Sequence, residues 1–265
     1  MLKYIEFIAA PGSGKTTLLN SLINSRLSDE TWLTEADAIK KVGYEFVSKK
    51  PIVKMVPTYL LLHVPVVYSY TLRNVLKKEK NRLDEAVWVN SRWNPLLQYC
   101  LESGRFQELK EKSPIMAVKY LNWVRETIIH ISLLNQYAGN TAVVYDQALI
   151  QVLRMFVTAE DSADYLSEAL QKIPQPLGFI YLKADVDTVI ERRMKRNSER
   201  DQRSLRQTDK ATRERIEKEI AGLEVITMAL QKSNIPVLTL DAKEEMNLNQ
   251  AHEFIAKNSN TLNKI

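Results

Sequence analysis

The stretch Tyr4-Ile5-Glu6-Phe7-Ile8-Ala9-Ala10-Pro11-Gly12-Ser13-Gly14-Lys15-Thr16-Thr17 decides how the rest of the chain is read. Its first part is a short apolar run of β type. Ala9 to Thr16 then fit the pattern G/A-x-x-x-x-G-K-S/T, with Ala9 in the first position. Thr17 to Ile23 continue with apolar residues at helical spacing. Strand, glycine loop and helix in that order form the context in which this motif binds phosphate. Gly12 and Gly14 can adopt backbone angles that turn successive N–H groups toward an anion. The helix that follows begins with unpaired N–H groups and the positive end of its dipole. The reading therefore assigns Ala10, Pro11, Gly12, Ser13, Gly14, Lys15, Thr16 and Thr17 to nucleotide binding. Lys15 reaches the β- and γ-phosphates, and the Thr16 hydroxyl ligates Mg²⁺.

Downstream of Thr141 the sequence alternates strand and helix. Thr141–Tyr145, Leu177–Leu182 and Ile235–Leu240 read as strands. Ser162–Ile173, Val186–Arg196, about Lys210–Lys232 and Asn247–Lys257 read as helices. Upstream, Thr31–Thr34 is a short β-prone run that ends at Glu35-Ala36-Asp37. This rhythm predicts an α/β fold, a parallel sheet with helices on both faces. Ligands of such sheets sit at the carboxyl ends of the strands. Ala9, Glu35 and Asp146 all fall there.

Between the second and third strands lie roughly a hundred residues with helical patterns and no clear strand. Leu83–Leu101, Phe106–Lys112 and Ala117–Tyr137 carry the helical spacing, with a start at Asn94-Pro95 and a break at Ser103-Gly104. We expect one domain over 1–265, with a core of 1–37 and 141–265 and a helical insertion of about 38–140 forming the acceptor side. Met55 to Leu72 contain no formal charge, but Pro57, His63 and Pro65 interrupt them. No transmembrane segment is predicted. The stretch reads first as a buried helix pair and second as a surface for peripheral membrane or apolar contact.

The formal net charge is +5, with both signs abundant. That suits a polyanionic small ligand and calls for no nucleic acid partner. The single cysteine, Cys100, excludes an internal disulfide and a cysteine-built zinc site. With a glycine loop that begins within the first ten residues, where a signal peptide would lie, this gives the expectation of a cytoplasmic protein.

Several side chains are candidates for chemistry. Asp146 follows Val143-Val144-Tyr145 and is assigned to Mg²⁺ together with Thr16. Glu35, then Asp37, are the carboxylates that could take a proton from an acceptor or orient it, or could cap the following helix. Arg192 and Arg196 are four apart and share a helix face, and Arg200 lies in the polar break Asn197–Gln207. Guanidinium groups there could close as a lid over a transferring phosphoryl group. His63, His130 and His252 are scattered without metal-ligand spacing and read as ordinary helix or surface residues. The tryptophans default to core packing.

Taken with these residues, A-A-P-G-S-G-K-T-T at Ala9–Thr17, T-E-A-D at Thr34–Asp37, V-V-Y-D-Q at Val143–Gln147 and I-Y-L-K-A-D-V-D-T-V-I-E-R-R-M-K-R at Ile180–Arg196 resemble the phosphate-loop (P-loop) kinases of the nucleoside and nucleotide kinase group. In layout the chain is similar to thymidylate kinases and deoxynucleoside kinases. The resemblance spans about the first 37 residues and everything after Thr141, and leaves the insertion out. It implies the three-layer sandwich of phosphate-loop NTPases, about five parallel strands with the loop-bearing strand in the middle. It further implies ATP and Mg²⁺, a small-molecule acceptor, and a catalytic set of Lys15, Glu35, Asp37, Asp146, Arg192, Arg196 and Arg200. Gln147 stands where the group usually carries Arg, which points to an acceptor other than a common nucleoside monophosphate. The alternative function is a nucleotide-gated ATPase acting through a protein or membrane partner. No N-K-x-D and no L-S-G-G-Q occurs, which argues against a guanine switch and an ABC-type ATPase.

Overall fold

The computed structural model describes residues 2–26, 32–48, 77, 81, 92–195, 209–243 and 247–261. The uncharged stretch 55–72, Arg196, Arg200 and the polar break 197–207 lie outside them.

Five strands form one all-parallel sheet in the order β2-β3-β1-β4-β5. They are β1 (Tyr4–Ala9), β2 (Trp32–Thr34), β3 (Ala142–Tyr145), β4 (Gly178–Lys183) and β5 (Val237–Asp241). β1 is central because all six of its residues are buried, the composition that a strand covered on both faces requires. It pairs with β3 from Tyr4↔Val143 to Glu6↔Tyr145 and with β4 from Ile5↔Gly178 to Ala9↔Leu182. The expected parallel sheet with the loop-bearing strand in its middle is what the chain forms.

Alternate side chains of β1 feed two apolar clusters. Ile5, Phe7 and Ala9 join Leu19 and Leu22 of α1 (Lys15–Asn24) and Ala251 and Ile255 of α10 (Asn247–Ser259) on one face. Tyr4 and Ile8 join the other cluster. That face is covered by α2 (Glu35–Ser48), α5 (Pro114–Tyr137), the short α6 (Leu149–Leu153), α7 (Ala163–Lys172) and α9 (Asp209–Lys232). α8 (Val186–Lys195) follows β4 and contributes Val189 to it. Helices thus pack on both faces of the sheet.

The described part of 38–140 is helical, as its spacing predicts. α3 (Asn94–Glu102) has Pro95 in its first turn. α4 (Gly104–Lys112) is capped by Ser103, whose Oγ accepts the Phe106 N–H at 3.2 Å. α5 buries Val124, Ile128, Ile131 and Leu134 at three- and four-residue steps against the core. Two further helices have bounds that the sequence reading leaves open. α2 starts directly at Glu35, and α6 is only five residues long. Among the described residues no helix is long and apolar enough to cross a membrane.

β1 lies between β3 and β4, neither of which is its neighbour in sequence. The strand order reverses beside it, so the carboxyl ends of β1 and β3 open into the crevice where open α/β sheets hold ligands.

Candidate functional site

The loop 9–14 leaves the carboxyl end of β1 and turns into α1. Gly12 has φ +100° and Gly14 φ +101°, a region that other L-residues rarely occupy. The Ser13 N–H donates to Ala10 O at 3.1 Å and closes the turn. Gly14 sits at the N-cap of α1 and provides no side-chain cap, so the first N–H groups of the helix face the crevice without a protein acceptor from that residue. Ser13 Oγ is buried with no hydrogen-bond partner among the described residues.

Lys15 is buried, with its Nζ donating to the Asp146 carbonyl and lying 3.4 Å from Asp146 Oδ1. Burial holds its ammonium below the ordinary lysine range, while Asp146 and Glu6 pull the other way. Thr16 is exposed and lines the crevice. Asp146 Oδ1 has no hydrogen-bond partner among the described residues. A Thr hydroxyl and a carboxylate oxygen that accepts no hydrogen bond among the described residues fit Mg²⁺, which binds through one or two protein groups and substrate phosphates. No cluster of three or more candidate metal ligands occurs among the described residues, so a cation here would complete its shell from phosphates and water.

α8 lies over the loop and explains its glycines. A Cβ on Gly12 would come 3.0 Å from Arg193 Cγ and 3.3 Å from the Val189 carbonyl oxygen. Arg193 Nε donates to Pro11 O at 2.8 Å, and its Nη2 is 3.3 Å from Glu219 Oε2. Arg192 donates to Ser13 O and, at 2.8 Å, to Ala242 O. The sequence reading reserves Arg192 for a closed, loaded lid, but here it is already fastened to the loop backbone. Arg193, the next residue of the same basic run, is buried at the site.

Three cavities adjoin along this edge. The central one, about 460 Å³, is lined by Gly12, Lys15, Thr16, Gln147, Gln151, Arg154, Arg193, Arg215 and Glu219. Four cations face one carboxylate there. Glu219 Oε2 serves Arg193 and stands 4.0 Å from Arg154 Nη1. Arg215 Nε is buried with no partner among the described residues. A second cavity, about 560 Å³, meets the first at Gly12 and Gly14 and runs past Thr17, Leu18, Arg192, Ala242 and Leu248. A third, about 330 Å³, meets the first at Gln147 and is lined by Glu35, Trp123, Glu126, Thr127, His130 and Val152.

Glu35 and Asp37 separate clearly. Asp37 Oδ2 accepts the Thr34 N–H at 3.3 Å, and the Asp37 N–H donates to Thr34 Oγ1 at 3.1 Å. That is a reciprocal capping box at the start of α2, and Arg26 Nη1 lies 3.3 Å from the same carboxylate oxygen. Asp37 is therefore engaged in holding the helix start. Glu35 instead lines the third cavity, with Oε1 2.8 Å from His130 Nε2. The His130 ring stands edge-on to Tyr145, with centroids 6.3 Å apart. Sequence spacing assigned His130 no role, and nothing local signals a contact made across 95 residues. Arg196 and Arg200 fall outside the described residues.

Glu6 was likewise not singled out. It lies in the middle of β1 with 0% exposure. Its carboxylate accepts the N–H groups of Ala148 (2.9 Å), Ile150 (3.0 Å) and Gln151 (3.0 Å). Burial raises its pKa above the usual carboxylate range, and the three N–H groups and Lys15 oppose that rise. Set against known proteins, the chain matches no protein-family model and no curated sequence.

Proposed function

We propose that the protein is a kinase of the phosphate-loop NTPase fold, transferring the terminal phosphoryl group of Mg²⁺-ATP to a small-molecule acceptor. The observation that carries this reading is the row of three adjoining cavities. A less charged space and an acid-and-histidine space flank a strongly cationic one, joined through the glycine loop on one side and Gln147 on the other.

On this reading the second cavity receives the nucleoside of ATP. The loop N–H groups and Lys15 hold its phosphates, and the acceptor enters the third cavity. Thr16 and Asp146 would hold Mg²⁺, which supplies charge neutralisation at the phosphate oxygens. Arg154, Arg193 and Arg215 face the phosphoryl group in transit, where preorganised donors stabilise developing charge. Glu219 fixes Arg193 in that position. Glu35 accepts the proton of an acceptor hydroxyl as its oxygen bonds to the γ-phosphorus, and the bond from that phosphorus to the bridging oxygen of ADP breaks. Asp37 is committed to its cap, so Glu35 is the better base of the two. Gln147 stands between the cationic and acceptor spaces, able both to donate and to accept a hydrogen bond.

The test is ADP release with a panel of nucleosides, nucleoside monophosphates and sugars. Turnover should be slow without acceptor, rise with one member of the panel, and lose that rise in Glu35→Gln. Hydrolysis that ignores every small molecule and responds only to vesicles or to a protein partner would overturn the kinase reading in favour of a nucleotide-gated switch.

A further inference from the structure

We propose that Glu6 is a positioning residue for the central cavity. It ties the strand that launches the glycine loop to the turn that carries Gln147, Gln151 and Arg154. The inference rests on the phosphate-loop reading and adds a residue outside the loop motif.

The geometry is specific. Oε1 accepts from Ala148 and Gln151, and Oε2 from Ile150, so both oxygens are spent on the four-residue segment 148–151. α6 needs that help. It is a single short turn, of a length that is marginal alone, and its N-cap Ala148 has no side chain able to cap it. A carboxylate from β1, 142 residues earlier, substitutes for the missing cap. The segment it fastens contributes Gln151 to the lining of the cavity. With its amide oriented to satisfy its neighbours, Gln151 Oε1 accepts from Arg154 Nε at 2.9 Å and from Nη2 at 3.2 Å. At the upstream end, Lys15 donates to the Asp146 carbonyl. One strand–loop unit therefore grips the 146–151 turn twice, by Glu6 below and by Lys15 above.

An apolar residue would fill this core position without the desolvation cost of a buried carboxylate. The sheet itself does not need the charge, since its neighbours Tyr4 and Ile8 on the same face pack apolar surface. What the carboxylate provides is a fixed distance between loop and turn. Glutamine cannot replace it, because its NH₂ would face backbone N–H groups that have no acceptor left.

The experiment uses the full chain. Binding of a non-hydrolysable ATP analogue with Mg²⁺ is measured by calorimetry in wild type, Glu6→Gln and Ile5→Val, alongside melting temperature. Ile5 is fully buried on the other face of β1, so Ile5→Val reports loss of packing alone. Glu6→Gln should weaken binding about tenfold beyond Ile5→Val, the scale seen when a group that orients a ligand-binding residue is removed. Lowered melting temperature with unchanged affinity would overturn the positioning role. Should Glu6→Gln fail to fold, hydrogen exchange in the wild type decides. The analogue should slow the amides of Ala148, Ile150 and Gln151 together with those of 12–17, and protection confined to 12–17 would overturn the proposal. Absence of analogue binding by the wild type is a separate outcome and sinks the phosphate-loop reading on which the proposal rests.

Discussion

Gly12→Ala is the perturbation whose size the structure defines best. Its φ of +100° lies where an alanine is strained whatever space surrounds it, at a cost of about 1–3 kcal/mol. Space is short as well. The added Cβ would stand 3.0 Å from Arg193 Cγ and 3.3 Å from the Val189 carbonyl oxygen. The arginine could give way, but the carbonyl belongs to the α8 backbone and could move only with the helix. At about 2–4 °C per kcal/mol for a chain near this size, the strain alone lowers the melting temperature by roughly 2–12 °C. Gly104→Ala is the control. Its position has nothing within 4 Å and no positive φ, and it opens α4, so alanine there should be neutral or stabilising by about 0.4–1 kcal/mol. Scanning calorimetry on both variants gives the comparison. A Gly12→Ala protein that melts with the wild type, or shifts in the same direction as Gly104→Ala, would refute the loop conformation and the closeness of α8.

Two further outcomes follow from the same geometry. Asp37→Asn should loosen the start of α2 and lower stability by about 1 kcal/mol, while leaving acceptor-stimulated ADP release near wild type. Glu35→Gln should do the reverse, lowering kcat and kcat/KM together; equal kinetic losses in the two variants would contradict their separate roles. Nucleotide affinity should fall as pH rises through the Lys15 pKa, which burial holds below the ordinary lysine range. The sign follows from the charge. Phosphate favours the ammonium form, so above that pKa binding must take up a proton, at about tenfold in affinity per pH unit. Titration of affinity from neutral to alkaline pH checks this, and a flat profile up to the ordinary lysine value of about 10.4 would contradict the depressed pKa.

What could be read from the sequence was local. The strand, loop and helix at 4–23 announce themselves within twenty residues, because glycine conformations and apolar spacing are short-range properties. The strands that run up to Asp146 and Lys183 are equally plain, and T-E-A-D at Thr34–Asp37 already has the spacing of a capping box. What escaped was made by distant partners. α6 has no cap of its own, and its stabilising carboxylate lies in another strand. Glu6 looks like one polar position in a strand until three backbone N–H groups from 148–151 converge on it. His130 gains meaning only when α5 brings it to Glu35. Arg193 and Arg215 are members of charge runs, and nothing in a run says which member turns inward. The fold, by contrast, follows from alternation of strands and helices, which five parallel strands leave legible.

The most direct test of the central claim is the thermal shift produced by Mg²⁺-ATP in wild type and in Lys15→Ala. Ligand at a hundred times its dissociation constant adds about 2.7 kcal/mol to folding stability. For a chain of this size that is a rise of roughly 5–10 °C in melting temperature. The wild type should show that rise. Lys15→Ala, with its far-UV spectrum unchanged, should lose most of it. Equal shifts in the two proteins, or none in the wild type, would contradict the assignment of the 9–16 loop to nucleotide phosphates.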